Sequence, residues 1–299
     1  MAGIFFIIFA CSLWALDALI RYPLVGGGID PTVIVFLEHA LLSLVFLPRL
    51  IQGVPRAADL RVGDVVSFLV IGGFGSAFAT VCFTQAFTYL NPSLVILLQK
   101  FQPVVAITLA ALILREPVPK PFLAWGFVSL IGAILISSPD IQNVWRLLQI
   151  DPARLGSDAA VQGYSLVGIS ILGWGAATVF GKKLSMAGFE PTAILTGRFV
   201  TGFVTLLFLV PWGPKLILAD ATNYLRILVM ATAGGVALWS YYQGMKRLPA
   251  KLVSIAELFF PLMAVVMNWF FLGKSLSEIQ LVGGALLVIG AFILQLKKY

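Results

Sequence analysis

Long apolar stretches, separated by short polar turns, run along almost the whole chain. A helix of about 20 apolar residues is long enough to cross the ~30 Å hydrocarbon core of a bilayer. Ten stretches of this kind are present, and few of the 299 residues lie outside them. We predict an all-α, multi-pass membrane protein whose ten transmembrane helices cover residues 3–21, 30–48, 64–89, 93–114, 121–138, 163–182, 191–211, 224–245, 251–272 and 278–296.

The second half of the chain repeats the first half. At a spacing of 160 residues Trp14 recurs as Trp174, and at a spacing of 158 residues Pro103 recurs as Pro261. The other repeated positions are Asp30-Pro31-Thr32 with Glu190-Pro191-Thr192, Glu38 with Arg198, Phe83-Thr84-Gln85-Ala86 with Tyr241-Tyr242-Gln243-Gly244, Glu116 with Lys274, Gly126 with Gly284, and Gly132 with Gly290. Because each half contains five predicted spans, an odd number, the two copies must cross the membrane in opposite directions.

The repeat defines the domain organisation. We predict a first five-helix repeat over residues 1–138, a linker outside the cytoplasm over 139–162, and a second five-helix repeat over 163–299. Apolar residues at helical spacing within the linker (Ile141, Val144, Trp145 and Leu148) predict a short interfacial helix. Two inverted copies are typical of a secondary transporter, because they can exchange conformations and open a central site to each side in turn.

Composition and charge exclude several classes of protein. Sixty per cent of the residues are hydrophobic, 11% are charged and the mean hydropathy is +1.00, which leaves little room for a soluble domain. The net charge is +7. With the N-terminus placed inside, the segments on the inner side of the membrane hold twelve Lys and Arg residues, whereas the outer segments, which include Arg21, hold six. This bias predicts that both termini are cytoplasmic. The positive charge therefore indicates membrane topology and a lipid bilayer as partner, with no nucleic acid.

The paired motifs resemble those of the drug/metabolite transporter superfamily, specifically its ten-span members built from two copies of one exporter domain. The family motif is an aromatic residue, two variable residues and a small residue, followed by a helix with an internal proline and a terminal acidic residue. The two copies here are Phe83-Thr84-Gln85-Ala86, Pro92, Pro103 and Glu116, and Tyr241-Tyr242-Gln243-Gly244, Pro249, Pro261 and Lys274. The second copy departs from the motif at Lys274. The resemblance covers essentially the whole chain and implies the transport of small molecules; it is nearest to bacterial exporters of amino acids, including aromatic ones.

Six ionisable residues fall inside the predicted spans, where each costs about 2.5–3.5 kcal/mol on insertion scales. They are Asp17, Glu38, His39, Lys100, Arg198 and Glu257. By distance from the ends of their spans, the first four lie toward the outer half of the membrane and the last two toward the inner half. Glu38 and Arg198 occupy equivalent positions in the two repeats, as do Gln99 and Glu257. His39 is interpreted as a hydrogen-bonded packing residue, with proton coupling as the alternative.

Two functional interpretations and one structural interpretation fit these residues. A zwitterionic amino acid needs a cation for its carboxylate and acceptors for its ammonium group. Lys100 with Glu38 or Asp17 offers both, and Arg198 with Glu257 offers both in the other half. Alternatively, Arg198 and Glu257 form an inner gate that is paired when the transporter faces outward. In the structural interpretation these residues are buried ion pairs that only fix helix packing.

Aromatic residues near the middle of the spans are further candidates for substrate binding. Trp14 and Trp174 each lie about eleven residues into their spans, which places both near the membrane midplane. Facing aromatic walls suit a ligand with an apolar or aromatic side chain, although ordinary core packing also accounts for them. The weaker candidates for binding or gating are Gln85, Trp239, Tyr241 and Gln243.

Pro103 and Pro261 are the predicted kinks. They fall inside helices at equivalent positions, and each removes a backbone hydrogen bond, so both helices are expected to bend. Backbone carbonyls freed near the kinks would then be available to a ligand or to water.

The sequence lacks the patterns expected of nucleotide hydrolysis or of a metal centre. Residues 175–183 superficially resemble a phosphate loop, but the glycine spacing is wrong and no Ser or Thr follows the lysine pair. The single histidine and the two cysteines, Cys11 and Cys82, do not form a His/Cys metal motif. We therefore expect no cofactor, no metal and no enzymatic activity.

The leading hypothesis is an exporter in the bacterial cytoplasmic membrane that moves amino acids or similar small amphipathic metabolites by alternating access. The substrate's own gradient and protons are the alternative driving forces. A transporter of phosphorylated sugars or nucleotide-linked metabolites is the alternative within the same fold, and it predicts several basic groups around one cavity. A channel is a further alternative, which counterflow would distinguish from a carrier.

Overall fold

The computed structural model describes residues 2–53, 60–90, 92–138, 158–218, 220–272 and 277–297, and the regular structure within them is helical. The elements are α1 (Ala2–Gly26), α2 (Pro31–Gly53), α3 (Val62–Phe68), a π-helix (Leu69–Phe78), α4 (Ala79–Ala86), α5 (Pro92–Gln99), α6 (Gln102–Ile113), α7 (Lys120–Ile136), α8 (Asp158–Met186), α9 (Pro191–Leu209), a 3-10 turn (Pro214–Leu216), α10 (Ala221–Arg247), α11 (Ala250–Glu257), α12 (Phe259–Leu272) and α13 (Glu278–Lys297). Within the described residues, eight helical segments are long and apolar enough to cross a membrane, and Pro31–Phe46 and Lys120–Ile136 are apolar but shorter. The chain is therefore a multi-pass membrane protein with eight to ten apolar helices.

Two boundaries differ from the sequence prediction. The predicted interfacial helix, residues 141–148, lies outside the described residues, and α8 already begins at Asp158, within the predicted linker. Helix α1 continues past residue 21 and ends at Gly26. Arg21, which was expected at the outer end of this span, is therefore buried in the bundle with 6% of its surface exposed. This burial is possible because two carboxylates bind its guanidinium group.

The turns that follow α1 and α8 have the same chemistry at equivalent positions of the two halves. Gly28 and Gly188 come after these helices with φ angles of 85° and 94°, in the left-handed region that favours glycine. Pro31 and Pro191 then begin α2 and α9, at a helix position whose backbone N–H would have no partner inside the helix. The glycine and proline spacing therefore produces a tight reversal of the chain in each half.

The middle of the third apolar segment is a π-helix, which lies directly against α8 and α9. Small residues allow this close contact. A Cβ atom on Gly72 would lie 2.4 Å from the carbonyl oxygen of Arg198, and one on Gly75 would lie 2.6 Å from the Cβ of Ala177. The π-helix also carries Ser76, whose hydroxyl contacts side chains from both α2 and α9. Such wider turns often occur at functional positions.

Two apolar segments are interrupted near their middle, at equivalent positions of the two halves. Helix α5 ends at Gln99 and is followed by α6, and helix α11 ends at Glu257 and is followed by α12. Pro103 and Pro261 come four residues after these end points. Because proline has no N–H to donate to the carbonyl four residues earlier, the carbonyls of Gln99 and Glu257 cannot take the usual helical hydrogen bond.

The helix contacts that join the two halves come in equivalent pairs. Helix α1 packs on α10 as α8 packs on α4, and α1 packs on α12 as α8 packs on α6. Helices α7 and α13 approach very closely, since a Cβ atom on Gly132 would lie 2.5 Å from the backbone nitrogen of Leu287. The two halves therefore share one helical bundle, with room for a cavity between α1, α8 and the interrupted segments.

Candidate functional site

A cavity of about 230 Å³ lies between the two halves and is lined by most of the polar residues that the sequence placed inside the spans. The predicted residues in its lining are Trp14, Asp17, Glu38, His39, Gln99, Lys100, Trp174, Arg198, Tyr241 and Glu257, with Pro103 and Pro261. The two groups of ionisable residues that the sequence placed at different depths therefore meet in one cavity. The interrupted segments bring them together, because α5 and α11 both end at the cavity wall.

Three predicted candidates lie outside this cavity. Gln85 Nε2 donates to Thr88 Oγ1 (3.3 Å), Gln243 Oε1 accepts from Arg247 (3.1 Å), and Trp239 is 40% exposed on a separate apolar groove. The physical reason is the helical repeat. Residues two positions apart point about 200° apart. Since Phe83 and Tyr241 line the cavity, their neighbours two positions away face elsewhere.

Arg21 holds two carboxylates on one side of the cavity. Its Nε and Nη2 atoms donate to the two oxygens of Asp17 at 2.9 and 3.0 Å, one helical turn earlier in α1. Nη2 also donates to Oε1 of Glu38 on α2 at 2.8 Å. Both carboxylates that the sequence offered as partners of Lys100 therefore bind Arg21.

A second polar cluster connects α2, the π-helix, α9 and α10. His39 Nδ1 lies 2.9 Å from the carbonyl oxygen of Val35, and its Nε2 lies 2.9 Å from Ser76 Oγ. Arg198 Nε donates to Ser76 Oγ at 3.1 Å, and its Nη1 donates to the hydroxyl of Tyr242 at 3.1 Å. Since Nδ1 faces a carbonyl oxygen, we assign the proton to Nδ1, which leaves Nε2 to accept from the serine hydroxyl.

Glu257 is the centre of a third cluster, at the end of α11. The hydroxyl of Tyr241 donates to Oε1 at 2.6 Å, Thr178 donates to the same oxygen at 3.3 Å, and Gln102 Nε2 donates to Oε2 at 2.5 Å. The partners of this carboxylate are thus neutral side chains. Arg198, the predicted gate partner, makes its hydrogen bonds in the neighbouring cluster, while its charge acts on Glu257 across the cavity.

Lys100 follows the end of α5 and is also buried, with 5% of its surface exposed. Its Nζ donates to the carbonyl oxygen of Ile96 at 3.2 Å. With Lys100 included, the basic residues of the cavity lining are Arg21, Lys100 and Arg198, and the acidic residues are Asp17, Glu38 and Glu257. The formal charges of the lining therefore balance.

Two pairs of aromatic rings face the cavity at equivalent positions. Trp14 and Tyr241 have ring centroids 5.4 Å apart at an interplanar angle of 53°, and Trp174 and Phe83 have centroids 4.8 Å apart at 54°. The indole nitrogen of Trp174 also donates to Thr80 Oγ1 at 3.4 Å. Each half thus supplies the tryptophan of one pair and the partner ring of the other.

Further polar contacts between the halves lie where α1 begins, outside the cavity, which is lined by the second half of α1. Both carboxylate oxygens of Glu116 accept the first backbone N–H groups of α11, from Ala250 at 2.7 Å and Lys251 at 3.0 Å. Nearby, Ser240 Oγ donates to the carbonyl oxygen of Phe6 at 2.8 Å. The acidic residue of the first family motif thus caps a helix of the other half.

Four important cavity residues were missed from the sequence: Arg21, Ser76, Gln102 and Thr178. For two of them a signal was present. Arg21 lies four residues after Asp17, a spacing at which opposite charges meet on a helix. Thr178 lies four residues after Trp174, on the same face of α8. Ser76 and Gln102 reach the site through the π-helix and the helix interruption, which hydropathy does not predict.

Helices that are long and apolar enough to cross a membrane, with a cavity lined by polar residues between them, are typical of a membrane transporter. Comparison with known proteins gives its family. The EamA-like transporter family matches residues 1–138 and 161–296, so the chain belongs to this family. The predicted resemblance to the drug/metabolite transporter superfamily is confirmed at this level, and the protein is a transporter rather than an enzyme.

One curated relative and one solved structure extend the comparison. The chain is 30% identical over 302 residues to the riboflavin transporter ImpX of Fusobacterium nucleatum subsp. nucleatum, with 96% of this chain and 95% of the relative covered. A crystal structure of another protein superposes with a TM-score of 0.73 over 99% of this chain and 96% of that chain. Its sequence identity is 18%, so this likeness concerns the fold alone.

Proposed function

We propose that the protein is a secondary transporter that carries a flat, uncharged aromatic heterocycle of riboflavin's type across the bacterial cytoplasmic membrane by alternating access. The observation that carries this proposal is the cavity itself, which combines two pairs of aromatic rings with a lining whose formal charges balance. Aromatic rings favour flat ligands through offset or edge contacts. The similarity to a riboflavin transporter over almost the whole chain supports the same class of substrate.

The proposal includes the predicted architecture: ten transmembrane helices in two inverted repeats, residues 1–138 and 163–299, with both termini in the cytoplasm. The two separate family matches support a duplicated unit. Further support comes from the equivalent ring pairs and the equivalent helix interruptions, since one internal symmetry accounts for both. In this arrangement the cavity residues, including Trp14 and Trp174, would contact the substrate.

Alternating access is supported by the unequal ends of the bundle. Contacts such as the Glu116 cap on α11 join the halves where α1 begins, and the cavity lies toward the end where α1 finishes. With cytoplasmic termini, this arrangement corresponds to an outward-facing conformation. We propose that the cap separates when the transporter opens inward.

A charged substrate fits the cavity less well than a neutral one. A phosphorylated sugar would need an excess of basic groups, but three acidic residues balance the three basic ones. Burying an additional unpaired charge is costly in a low-dielectric cavity. The balance therefore disfavours the phosphorylated metabolites considered from the sequence.

An aromatic amino acid is the second candidate substrate, and it retains the export function predicted from the sequence. A zwitterion also has no net charge, and Glu257 is a carboxylate held by neutral donors, which could receive an ammonium group. The driving force would be the substrate gradient or protons, as the sequence predicts.

Counterflow in proteoliposomes tests the proposal. Vesicles preloaded with unlabelled riboflavin and offered labelled riboflavin outside are expected to accumulate the label transiently above its equilibrium level. Parallel vesicles with tryptophan or a phosphorylated sugar show whether the other classes are carried. Transient accumulation of tryptophan alone would favour the second candidate, and flat traces with riboflavin from folded protein would overturn the proposed substrate.

A further inference from the structure

The guanidinium group of Arg21 has one nitrogen without a partner. An arginine presents five N–H groups. Those on Nε and Nη2 point to the carboxylates of Asp17 and Glu38 at 2.8–3.0 Å. Nη1 is buried and has no hydrogen-bond partner among the described residues.

A buried charged donor without a partner is unfavourable, so its presence in a substrate cavity calls for an explanation. Arg21 is 6% exposed and its side chain forms part of the cavity lining. Asp17 and Glu38 hold the Nε and Nη2 edge of the planar group and so fix its orientation. Nη1 is the nitrogen that the protein leaves without an acceptor, and because it has almost no accessible surface, a molecule in the cavity contacts it only after the cavity wall around Arg21 moves aside.

We infer that Nη1 of Arg21 donates a hydrogen bond to a carbonyl oxygen of the transported heterocycle, with Asp17 and Glu38 as the residues that position it. The inference rests on the proposed function, since it assigns the recognition group for that substrate. It also makes Arg21 a specificity residue, which the hydropathy pattern had placed outside the site.

The charge of the cluster selects the type of acceptor. Two carboxylates surround a single guanidinium, so the cluster carries an excess of negative charge before any ligand arrives. A carboxylate or phosphate of a ligand would be repelled by Asp17 and Glu38. A neutral carbonyl oxygen accepts the hydrogen bond without adding charge, so the cluster favours an uncharged imide or amide edge.

The position of Arg21 on α1 fits a ligand with an extended ring system. Trp14, Asp17 and Arg21 are spaced at i, i+3 and i+7, so they lie along one face of the helix. The rise from Trp14 to Arg21 is about 10.5 Å along the axis. A heterocycle of fused rings that packs against Trp14 can place its carbonyl edge near Arg21 more readily than a single ring can.

The test combines ligand and protein changes. Purified protein is equilibrated with radiolabelled riboflavin in dialysis, and binding is competed with riboflavin or with analogues whose pyrimidine carbonyl oxygen, at position 2 or 4, is replaced by sulfur. Sulfur is a much weaker acceptor, so wild-type protein is expected to prefer riboflavin over one of the analogues by about 10-fold or more. In Arg21→Lys the ammonium group stays with the carboxylates, and this preference is expected to fall to nearly 1.

The matched control is Arg226→Lys, the same substitution at an exposed arginine of α10, which should keep the wild-type preference. An unchanged preference in Arg21→Lys would overturn the inference while leaving riboflavin binding, and hence the proposed function, intact. If Arg21→Lys does not fold, wild-type protein alone decides, because equal binding of riboflavin and both analogues also overturns the inference. Absence of riboflavin binding to folded wild-type protein would overturn the proposed function together with it.

A separate variant tests whether the negative charge of the cluster selects a neutral acceptor. Glu38→Gln keeps an oxygen acceptor for Nη2 but removes one negative charge from the cluster. The preference for oxygen over sulfur should persist, whereas competition by an aromatic carboxylate such as indole acetate should improve several-fold. Unimproved competition by the carboxylate would overturn the charge selection.

Discussion

The clusters around Arg21 and around Glu257 both place ionisable groups in the same cavity, but they stabilise them by different means. Arg21 is bound by two carboxylates, so its positive charge is neutralised mainly by negatively charged side chains. Glu257 is bound by the hydroxyls of Tyr241 and Thr178 and by an amide, so its charge is held by neutral dipoles. The first arrangement resists change, because removing one member leaves another charge unpaired. The second can gain or lose a charge while its neighbours stay in place, which suits a group that meets a substrate or a proton.

The largest expected effect is the loss of stability on breaking the Arg21 cluster. Arg21→Ala leaves Asp17 and Glu38 buried without a counter-ion, and breaking a buried pair in this way costs about 3–5 kcal/mol. Thermal unfolding in detergent should show a large decrease in melting temperature. The control is Lys246→Ala, which removes an exposed ion pair with Glu190 and should cost at most about 1 kcal/mol. Equal decreases in the two variants would contradict the contrast between buried and exposed pairs.

The next effect concerns transport rather than stability. Glu257→Gln keeps the size of the side chain and an oxygen for Tyr241, so the melting temperature should change little. A hydrogen bond from the substrate to this charged acceptor is worth about 1.5–3 kcal/mol, so its loss should decrease riboflavin counterflow by about 10- to 100-fold. Lys100→Ala, measured beside it, shows whether the cation at the other helix interruption matters equally. Normal counterflow in well-folded Glu257→Gln would remove this carboxylate from the mechanism.

A smaller and symmetric effect is expected from the two ring pairs. Trp14→Ala and Trp174→Ala each remove one aromatic contact worth about 0.5–1.5 kcal/mol, so each should weaken riboflavin binding by about 2- to 10-fold. Equilibrium dialysis measures both affinities. Trp239→Ala is the matched control, because Trp239 lies outside the cavity. A loss confined to one of the two cavity tryptophans would show that only one of the two ring pairs contacts the substrate.

The smallest effect is expected at an exposed carboxylate. Asp220 precedes α10, and its side chain accepts from the backbone N–H of Thr222 at 2.8 Å, which lowers the pKa of Asp220 below its usual range. A lowered pKa contributes stability above the pKa of the unfolded chain, and this stability is lost as the pH falls through the lowered value. Asp220→Ala should therefore melt slightly below the wild type at neutral pH, and the difference should disappear in acid. A difference that persists in acid would show that the cap does not depend on ionised Asp220.

The hydropathy pattern predicted the apolar segments well because lipid sets both their length and their composition. The turns after α1 and α8 could also have been predicted, since Gly28 and Gly188 meet a backbone requirement at equivalent positions. The side of each helix that faces the cavity was harder to predict from the sequence. Helices that face lipid are apolar on nearly every side, so the sequence alone did not show that Gln85 and Gln243 point away from the cavity.

The missed site residues depend on contacts between distant parts of the chain. Arg21 looked like the end of a span because a lone arginine is costly in lipid, and only Glu38 on the next helix completes its partners. Ser76 reaches His39 from a π-helix, whose wider turn changes which side chains face α2. The sequence predicted bends at Pro103 and Pro261. It did not predict that both helix interruptions lie beside the same cavity, because the polar residues were assigned to two different depths.

The most direct test of the central claim is the binding of riboflavin to purified wild-type protein at saturation. If the cavity binds an uncharged heterocycle, one riboflavin should bind per chain, and a phosphorylated sugar in excess should not displace it. Binding with no saturation, or displacement by the phosphorylated sugar, would contradict a charge-balanced aromatic cavity as the substrate site.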